Sequence, residues 1–178
     1  DVTVRMGIPT DMVTYNIEPN FPLIVTDTTQ LSRAFGYVLK NAVEATEGIS
    51  NPQINVEIEP AEEKGTLYIA VRIADNGPGI PPEEMEKIWA AFYTTKGAKH
   101  AGMGLSATYR TIKQLEGRIS ATNAPGGGAV FEFLLPIYEG SKQKESLPMG
   151  RSILLIDDND SWSQAVEQAL LEADNKIE

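Results

Sequence analysis

Asp75-Asn76-Gly77-Pro78-Gly79-Ile80-Pro81-Pro82-Glu83 breaks off an apolar strand at a carboxylate. The residues before it, Leu67 to Ile73, read as a strand, and the density of Pro and Gly after Asp75 forbids regular structure. Gly77 and Gly79 let the backbone adopt positive φ and come close to a flat ligand. A carboxylate held at a strand end can accept a hydrogen bond from an exocyclic amine, such as that of adenine, in an apolar pocket. An aspartate that merely starts a turn explains the same residues.

Working toward the N-terminus, Ile54–Ile58 is a second strand candidate, joined to Leu67–Ile73 through the charged segment Pro60–Gly65 as an antiparallel hairpin. Before it, Leu31, Ala34, Phe35, Val38, Leu39, Ala42 and Val43 recur at i, i+3, i+4, i+7, i+8, i+11 and i+12, the single apolar stripe of an amphipathic helix. Asp27 with Gln30 forms a capping-box start, and Gly48 and Pro52 mark the stop. Asn41 interrupts the helix surface with an amide. It suits an oxygen ligand for Mg²⁺ on nucleotide phosphates, or equally a plain hydrogen-bonded Asn. Val2–Met6, Val13–Ile17 and Leu23–Val25 read as short strands.

Toward the C-terminus, the sequence predicts a short helix over Glu83–Trp89 and a mobile loop over Thr94–Gly104. A longer helix follows from near Met103, with Leu105, Tyr109, Ile112 and Leu115 on its apolar side. Gly102-Met103-Gly104 opens that helix, and N–H groups without Cβ obstruction at a helix start favour phosphate. Lys96 and Lys99 add charge, and Thr94, Thr95 and Ser106 add hydroxyls. The spacing fits neither a P-loop nor a Rossmann glycine pattern, and a flexible hinge reads the same way. Strands at Arg118–Asn123 and Ala129–Leu135 close the region around the turn Ala124–Gly128.

The whole chain of 178 residues is 42% hydrophobic and 22% charged, enough apolar material for a sizeable core. A formal charge of -10 repels phosphodiester backbones, so a general nucleic-acid binder is not expected. With no Cys and one His, disulfide frameworks, thiolate metal sites and Cys nucleophiles are excluded, and a reducing, cytoplasmic setting is expected. No run of about 18 apolar residues exists, so no membrane contact by this segment is expected. The start at Asp1, without a Met or a signal region, and the charged end suggest a piece of a longer protein.

Residues 138–150 are rich in Gly, Ser, Pro and charge and read as a linker between a domain at 1–137 and a tail at 151–178. The tail holds a strand candidate, Ser152–Ile156, the acidic pair Asp157-Asp158 and a helix candidate from Ser161 to Ala173. Twenty-eight residues cannot bury a core, so the tail must lean on something else, continue in a longer chain or stay partly unfolded.

Four segments taken in order, LSRAFGYVLKNAVEAT (31–46), DNGPGIPPE (75–83), FYTTKGAKHAGMGLS (92–106) and GGGAVFEFLLP (126–136), resemble one family. They are similar to the N, G1, F and G2 boxes of the catalytic ATP-binding domain of two-component sensor histidine kinases, in the wider group that includes gyrase, Hsp90 and MutL ATPases. The resemblance covers about Leu23 to Pro136. It implies a two-layer α/β sandwich (the Bergerat-type ATP-binding fold) with a mixed, mostly antiparallel sheet and helices on one face. ATP and Mg²⁺ are the implied ligands, and transfer of the γ-phosphoryl to a histidine on a separate dimerisation domain is the implied reaction.

Carried over by residue, the resemblance implies that Asn41 helps hold Mg²⁺ and that Asp75 recognises the adenine amine. Gly77, Gly79 and Ile80 would shape that pocket, and Thr95 and Lys96 would approach the phosphates from a lid. Gly102, Met103, Gly104, Leu105 and Ser106 would form the phosphate end, and Phe92 would pack the lid or serve as a plain core residue. Tyr37 stands where many relatives carry Asn and where the ATPases carry a water-activating Glu. A phenol is a poor base, which argues against direct hydrolysis. Ala129 stands where a Thr often meets the nucleotide. His100 sits in the Gly-rich loop, outside the helical context of the family's phosphoacceptor. Ile153–Asp160 resembles the first strand and acidic pair of a response-regulator receiver domain. That implies a partial receiver-like βα unit in a hybrid kinase, with Asp157 and Asp158 as an incomplete metal site and a receiver or response regulator as partner. A nucleotide-binding domain without kinase activity, an ATPase and an anti-sigma-type serine kinase share the fold and stay open as alternatives.

Overall fold

A computed structural model of the chain describes residues 12–17, 24–26, 28–97, 101–137 and 152–154, with side chains described for all but 24–26, 28 and 152–154. The strand expected at Val2–Met6, the cap at Asp27, Lys99, His100, the linker 138–150, Asp157, Asp158 and the helix from Ser161 lie outside the described residues.

Alternation in the sequence becomes a sheet with one apolar and one charged face. Strands β1 (Val13–Ile17), β3 (Ile54–Glu63), β4 (Thr66–Asp75), β5 (Arg118–Asn123) and β6 (Ala129–Pro136) form five strands in the order β1-β3-β4-β6-β5. β1 runs parallel to β3 and every other pair is antiparallel. Period-two geometry aligns Val56 with Ile73 and Phe131, and Ile58 with Val71 and Phe133, so these two central rungs of the inner face are apolar. The outer face carries Glu57, Glu59, Arg72 and Glu132. Arg72 ion-pairs there with Glu59 and, at 2.7 Å, with Glu132.

Two helices cover the inner face. Helix α1 (Thr28–Ala45) buries Leu31, Ala34, Phe35, Val38, Leu39 and Ala42, the stripe read from the sequence. Helix α2 (Gly104–Gln114) packs beside α1 and contributes Ile112, which is fully buried. Thr108 on α2 donates to the Ala34 carbonyl at 3.3 Å and thereby satisfies its own buried hydroxyl. Phe35 meets Phe133 edge to face at 4.9 Å, locking helix to sheet. This is the two-layer sandwich with a mixed, mostly antiparallel sheet that the resemblance implied.

Several local expectations change. The segment 60–65 is no loop: β3 and β4 continue to a two-residue turn at Lys64-Gly65, both with positive φ. Among the described residues β1 pairs with Ile54 to Ile58 and not with Pro60, so the missing Pro60 N–H interrupts no described ladder on that side. Glu83–Trp89 is not a regular helix but turns ending in a 3₁₀ turn over Lys87–Trp89. Tyr109 is exposed rather than core, resting on Trp89 at 5.8 Å. Strand β7 (Ser152–Leu154) pairs antiparallel with β2 (Ile24–Thr26), so the start of the tail leans on the strand leading into α1.

Phe133→Ala removes the ring that both Phe35 and the central strands pack on. We expect a loss of about 3–5 kcal/mol, measured as a shift of the urea unfolding midpoint without a change of m-value.

Candidate functional site

Asp75 is the last residue of β4, and the strand's alternation carries it onto the same face as Ile69, Val71 and Ile73. A row of core positions therefore ends in a carboxylate that is only 7% exposed. Its Oδ1 accepts the Gly77 N–H at 2.9 Å and the Ala129 N–H at 3.2 Å. The first bond is an aspartate turn of the ordinary kind, so that reading of Asp75 holds for one oxygen. Oδ2 accepts no hydrogen bond among the described residues. Burial pushes the Asp75 carboxyl above its usual range, opposed by the two N–H bonds and by the positive charge of Lys96.

The backbone around Asp75 is packed so closely that three neighbouring positions admit no side chain. A Cβ on Gly77 would lie 2.8 Å from both the Ala45 carbonyl and Asp75 Oδ1. One on Gly128, whose φ is +93°, would lie 1.8 Å from the Asp75 carbonyl oxygen. Gly79, at φ +77°, lies against Asn123 and Gly128. Asn123 fastens the loop from the far side: its Oδ1 accepts the Ile80 N–H at 2.8 Å and its Nδ2 donates to the Ile80 carbonyl at 2.7 Å. Asn76 does the same for residues 51–53, accepting from Gln53 N–H at 2.8 Å and donating to Asn51 O at 2.7 Å. Asn76, Asn123 and Gly128 were not picked out from the sequence. The available signals were an amide inside the Pro-Gly stretch, an amide ending a strand and the last Gly of a run of three.

A second cluster lies along α1. Asn41 and Glu44 sit three residues apart on one helix face. Lys96 reaches both from the Thr94–Gly97 segment: its Nζ donates to Asn41 Oδ1 at 3.0 Å and ion-pairs with Glu44. The Thr94 hydroxyl accepts the Lys96 N–H at 3.1 Å and so shapes that segment. Glu44 was not singled out in the sequence either. Its position one helical turn from Asn41 was the available signal.

The glycines flanking Met103 have separate duties. Gly102, at φ +64°, lies so close to Phe92 and Tyr93 that a Cβ would approach their backbone within 2.6 Å, while its carbonyl accepts the Phe92 N–H at 2.9 Å. Gly104 starts α2 against the ring of Tyr37, which a Cβ would meet at 3.1 Å. No side chain caps the start of α2 and its first turn carries no acid, a combination suited to an anion. The Ser106 hydroxyl turns back to the Met103 carbonyl at 3.0 Å, and Leu105 packs against the core. Thr95 and Met103 are exposed. Phe92 is 75% exposed with φ +67°, so it is not a core residue.

The sequence model described as histidine kinase-, DNA gyrase B-, and HSP90-like ATPase matches residues 26–139. The chain belongs to that family. Similar relatives are sensor kinases. The adaptive-response sensory kinase SasA of Synechococcus sp. (strain CC9311) is 30% identical over 149 residues, 82% of this chain and 35% of that kinase. The aerobic respiration control sensor protein ArcB of Escherichia coli (strain K12) is 34% identical over 126 residues, 66% of this chain and 15% of that protein. The chain thus spans about a third or less of these relatives. Among solved structures, the catalytic domain of histidine kinase ThkA in a nucleotide-free form superposes with a TM-score of 0.61 at 30% identity, covering 76% of this chain and 89% of that one. Full-length ShkA in complex with AMPPNP gives a TM-score of 0.56 at 27% identity, over 70% of this chain and 25% of that one. This ATPase-family domain is the ATP-binding catalytic domain of the sensor histidine kinase type.

For such a domain the donor set fits a metal carried in by a nucleotide. An amide and a carboxylate oxygen share one side of α1, and the cation now lying on both is the Lys96 ammonium. Among the described residues no group of three or more His, Cys, Asp or Glu could hold a metal alone. Mg²⁺ is commonly held by one or two protein oxygens together with substrate phosphates.

Two stability experiments check the Asp75 environment. Gly128→Ala forces a Cβ into the Asp75 carbonyl and is expected to cost at least about 2–4 kcal/mol, whereas Gly126→Ala, with open space around it, stays within about 0.5 kcal/mol. Asp75→Asn keeps an acceptor for both N–H groups and removes the buried charge. A raised folded pKa means that ionised Asp75 opposes folding above that pKa. The variant therefore unfolds at a higher urea midpoint at neutral pH, and its advantage fades as pH falls through the raised pKa into the ordinary carboxylate range.

Proposed function

We propose that this domain takes up Mg²⁺·ATP along α1, with adenine at the Asp75 end and phosphates toward Asn41, Lys96 and the start of α2, and passes the γ-phosphoryl to a histidine of a dimerisation domain. The observation that carries this reading is one buried carboxylate with an uncommitted oxygen at the end of β4, together with one Asn–Lys pair on α1. A polar group in an apolar pocket discriminates strongly among ligands, since a base lacking the matching amine leaves the carboxylate unpaired. Adenine presents that amine and guanine does not. Gly77, Gly79 and Ile80 line this end, held by Asn123.

At the other end Asn41 would hold the metal, which supplies charge neutralisation between the phosphate oxygens. Lys96 and the N–H groups that open α2 at Gly104 and Leu105, beyond Gly102 and Met103, compensate the remaining charge, with Thr95 and Ser106 as nearby hydroxyls. In the transfer, the bond from the γ-phosphorus to the bridging oxygen breaks while a phosphorus–nitrogen bond forms to the acceptor imidazole, and ADP leaves. Positioning and electrostatics supply most of the rate. Tyr37 supports transfer over hydrolysis, because its ring is packed on Gly104 and offers no carboxylate to activate water. The kinase relatives and the ShkA neighbour solved with AMPPNP support nucleotide use of this kind.

The proposed partners are a histidine-bearing dimerisation domain and a receiver or response regulator. Among the described residues no helix is long and apolar enough to cross a membrane, and a cytoplasmic site of action suits an ATP-dependent enzyme. The further reading that 151–178 begins a receiver domain rests on the sequence Ile153–Asp160 alone.

Calorimetry with Mg²⁺·ADP tests the reading. Wild type binds, Asp75→Ala loses at least tenfold in affinity, and Asn41→Ala binds with a reduced dependence on Mg²⁺. Labelled ATP then marks an added dimerisation domain on histidine and leaves this chain unlabelled. Absence of ADP binding by folded wild type, or label on His100, would overturn the reading.

A further inference from the structure

Glu44 enters the site so far only as a neighbouring oxygen, yet it ion-pairs with the same Lys96 that donates to Asn41. The carboxylate is the more buried partner, with 18% of its side chain exposed against 34% for the ammonium. The pair is partly exposed, so solvent screens it in part and its strength is modest. The Asn41 oxygen has a second lone pair, but a divalent cation seated on it would stand within a few ångströms of the ammonium, and two cations repel at that distance. Lys96 on Asn41 and a metal on Asn41 are therefore competing arrangements. Glu44 weights the balance toward Lys96.

We infer that Glu44 is a positioning residue that holds Lys96 on Asn41 when no nucleotide is bound, so that metal and phosphate must draw Lys96 away from Glu44 to be accommodated. The inference rests on the nucleotide reading above and adds to it a named competitor for the phosphate-binding cation. Lys96 must exchange a carboxylate for a phosphate, and the strength of the Glu44 pair subtracts from the affinity for nucleotide. Losing the Glu44 charge should therefore favour metal-free nucleotide most where Lys96 is present to take up the phosphates.

Two measurements test this on the whole chain. The first needs no nucleotide: the rate at which a small acylating reagent modifies Lys96, followed by peptide mass spectrometry. Glu44→Gln should raise that rate at least threefold while the rates at Lys40, Lys87 and Lys113 stay constant; an unchanged Lys96 rate overturns the inference. The second is a double-mutant cycle on ADP binding in EDTA. Glu44→Gln should tighten binding about three- to tenfold with Lys96 in place, and by less than a third of that factor in the Lys96→Met background. Equal gains in both backgrounds would mean a general field effect and overturn the inference, as would weaker binding accompanied by a lower melting temperature. Should wild type bind no ADP with or without Mg²⁺, the nucleotide reading fails, and the acylation result still stands or falls separately.

Discussion

The domain depends on a single register. β4 runs from the solvent-exposed hairpin turn into the centre of the molecule, placing Ile69, Val71 and Ile73 against the helices, and the same alternation then delivers Asp75 to the next core-facing position. A shift by one residue would put the carboxylate in water and Arg72 in the core. The hydrophobic packing that makes the sheet is thus also what desolvates the acid, and the site cannot be moved without unmaking the core. Isolated buried carboxylates are costly, and two backbone N–H groups on Oδ1 offset part of that cost.

Fold and site differ in how far they could be read from residues alone. The α1 stripe, the two helix positions and the strands Arg118–Asn123 and Ala129–Leu135, the last extended by one residue to Pro136, were legible because a packed core rewards an apolar pattern. The hairpin was misread at Pro60, where proline ordinarily argues against strand. What accommodates it is its pairing: Pro60 lies opposite Ile69 of β4, and among the described residues β1 pairs no further than Ile58, a tertiary fact invisible in the local sequence. The helix expected over Glu83–Trp89 was misjudged for the opposite reason: Pro81 and Pro82 start a turn, but no long apolar stripe follows to stabilise a helix.

In the site, Asp75 and Asn41 stood out because a charge at a strand end and an amide in a helix are each locally unusual. Asn123 and Asn76 did not, because an amide beside a turn is common, and only the fold shows Asn123 forming both bonds to Ile80. Gly128 illustrates the same limit. A run of three glycines reads as slack, yet the turn pairs its last member against the carbonyl of Asp75, and that member alone can stand there. Glu44 was hidden by being an ordinary charged residue on an ordinary helix face.

These constraints also explain how the two ends of the site communicate. Asp75 is felt by Lys96, Lys96 by Asn41 and Glu44, and all but Lys96 sit on rigid elements: Asp75 on the central strand, the other two on α1. Lys96 comes from the Thr94–Gly97 segment, where the Thr94 hydroxyl accepts its N–H. The charges around its ammonium are the ones a nucleotide would alter. A ligand that brought negative charge to the start of α2 would compete with Asn41 and Glu44 for Lys96. Tyr37 fits the same scheme. Its ring fills the space beside Gly104 and so packs the start of α2 against α1.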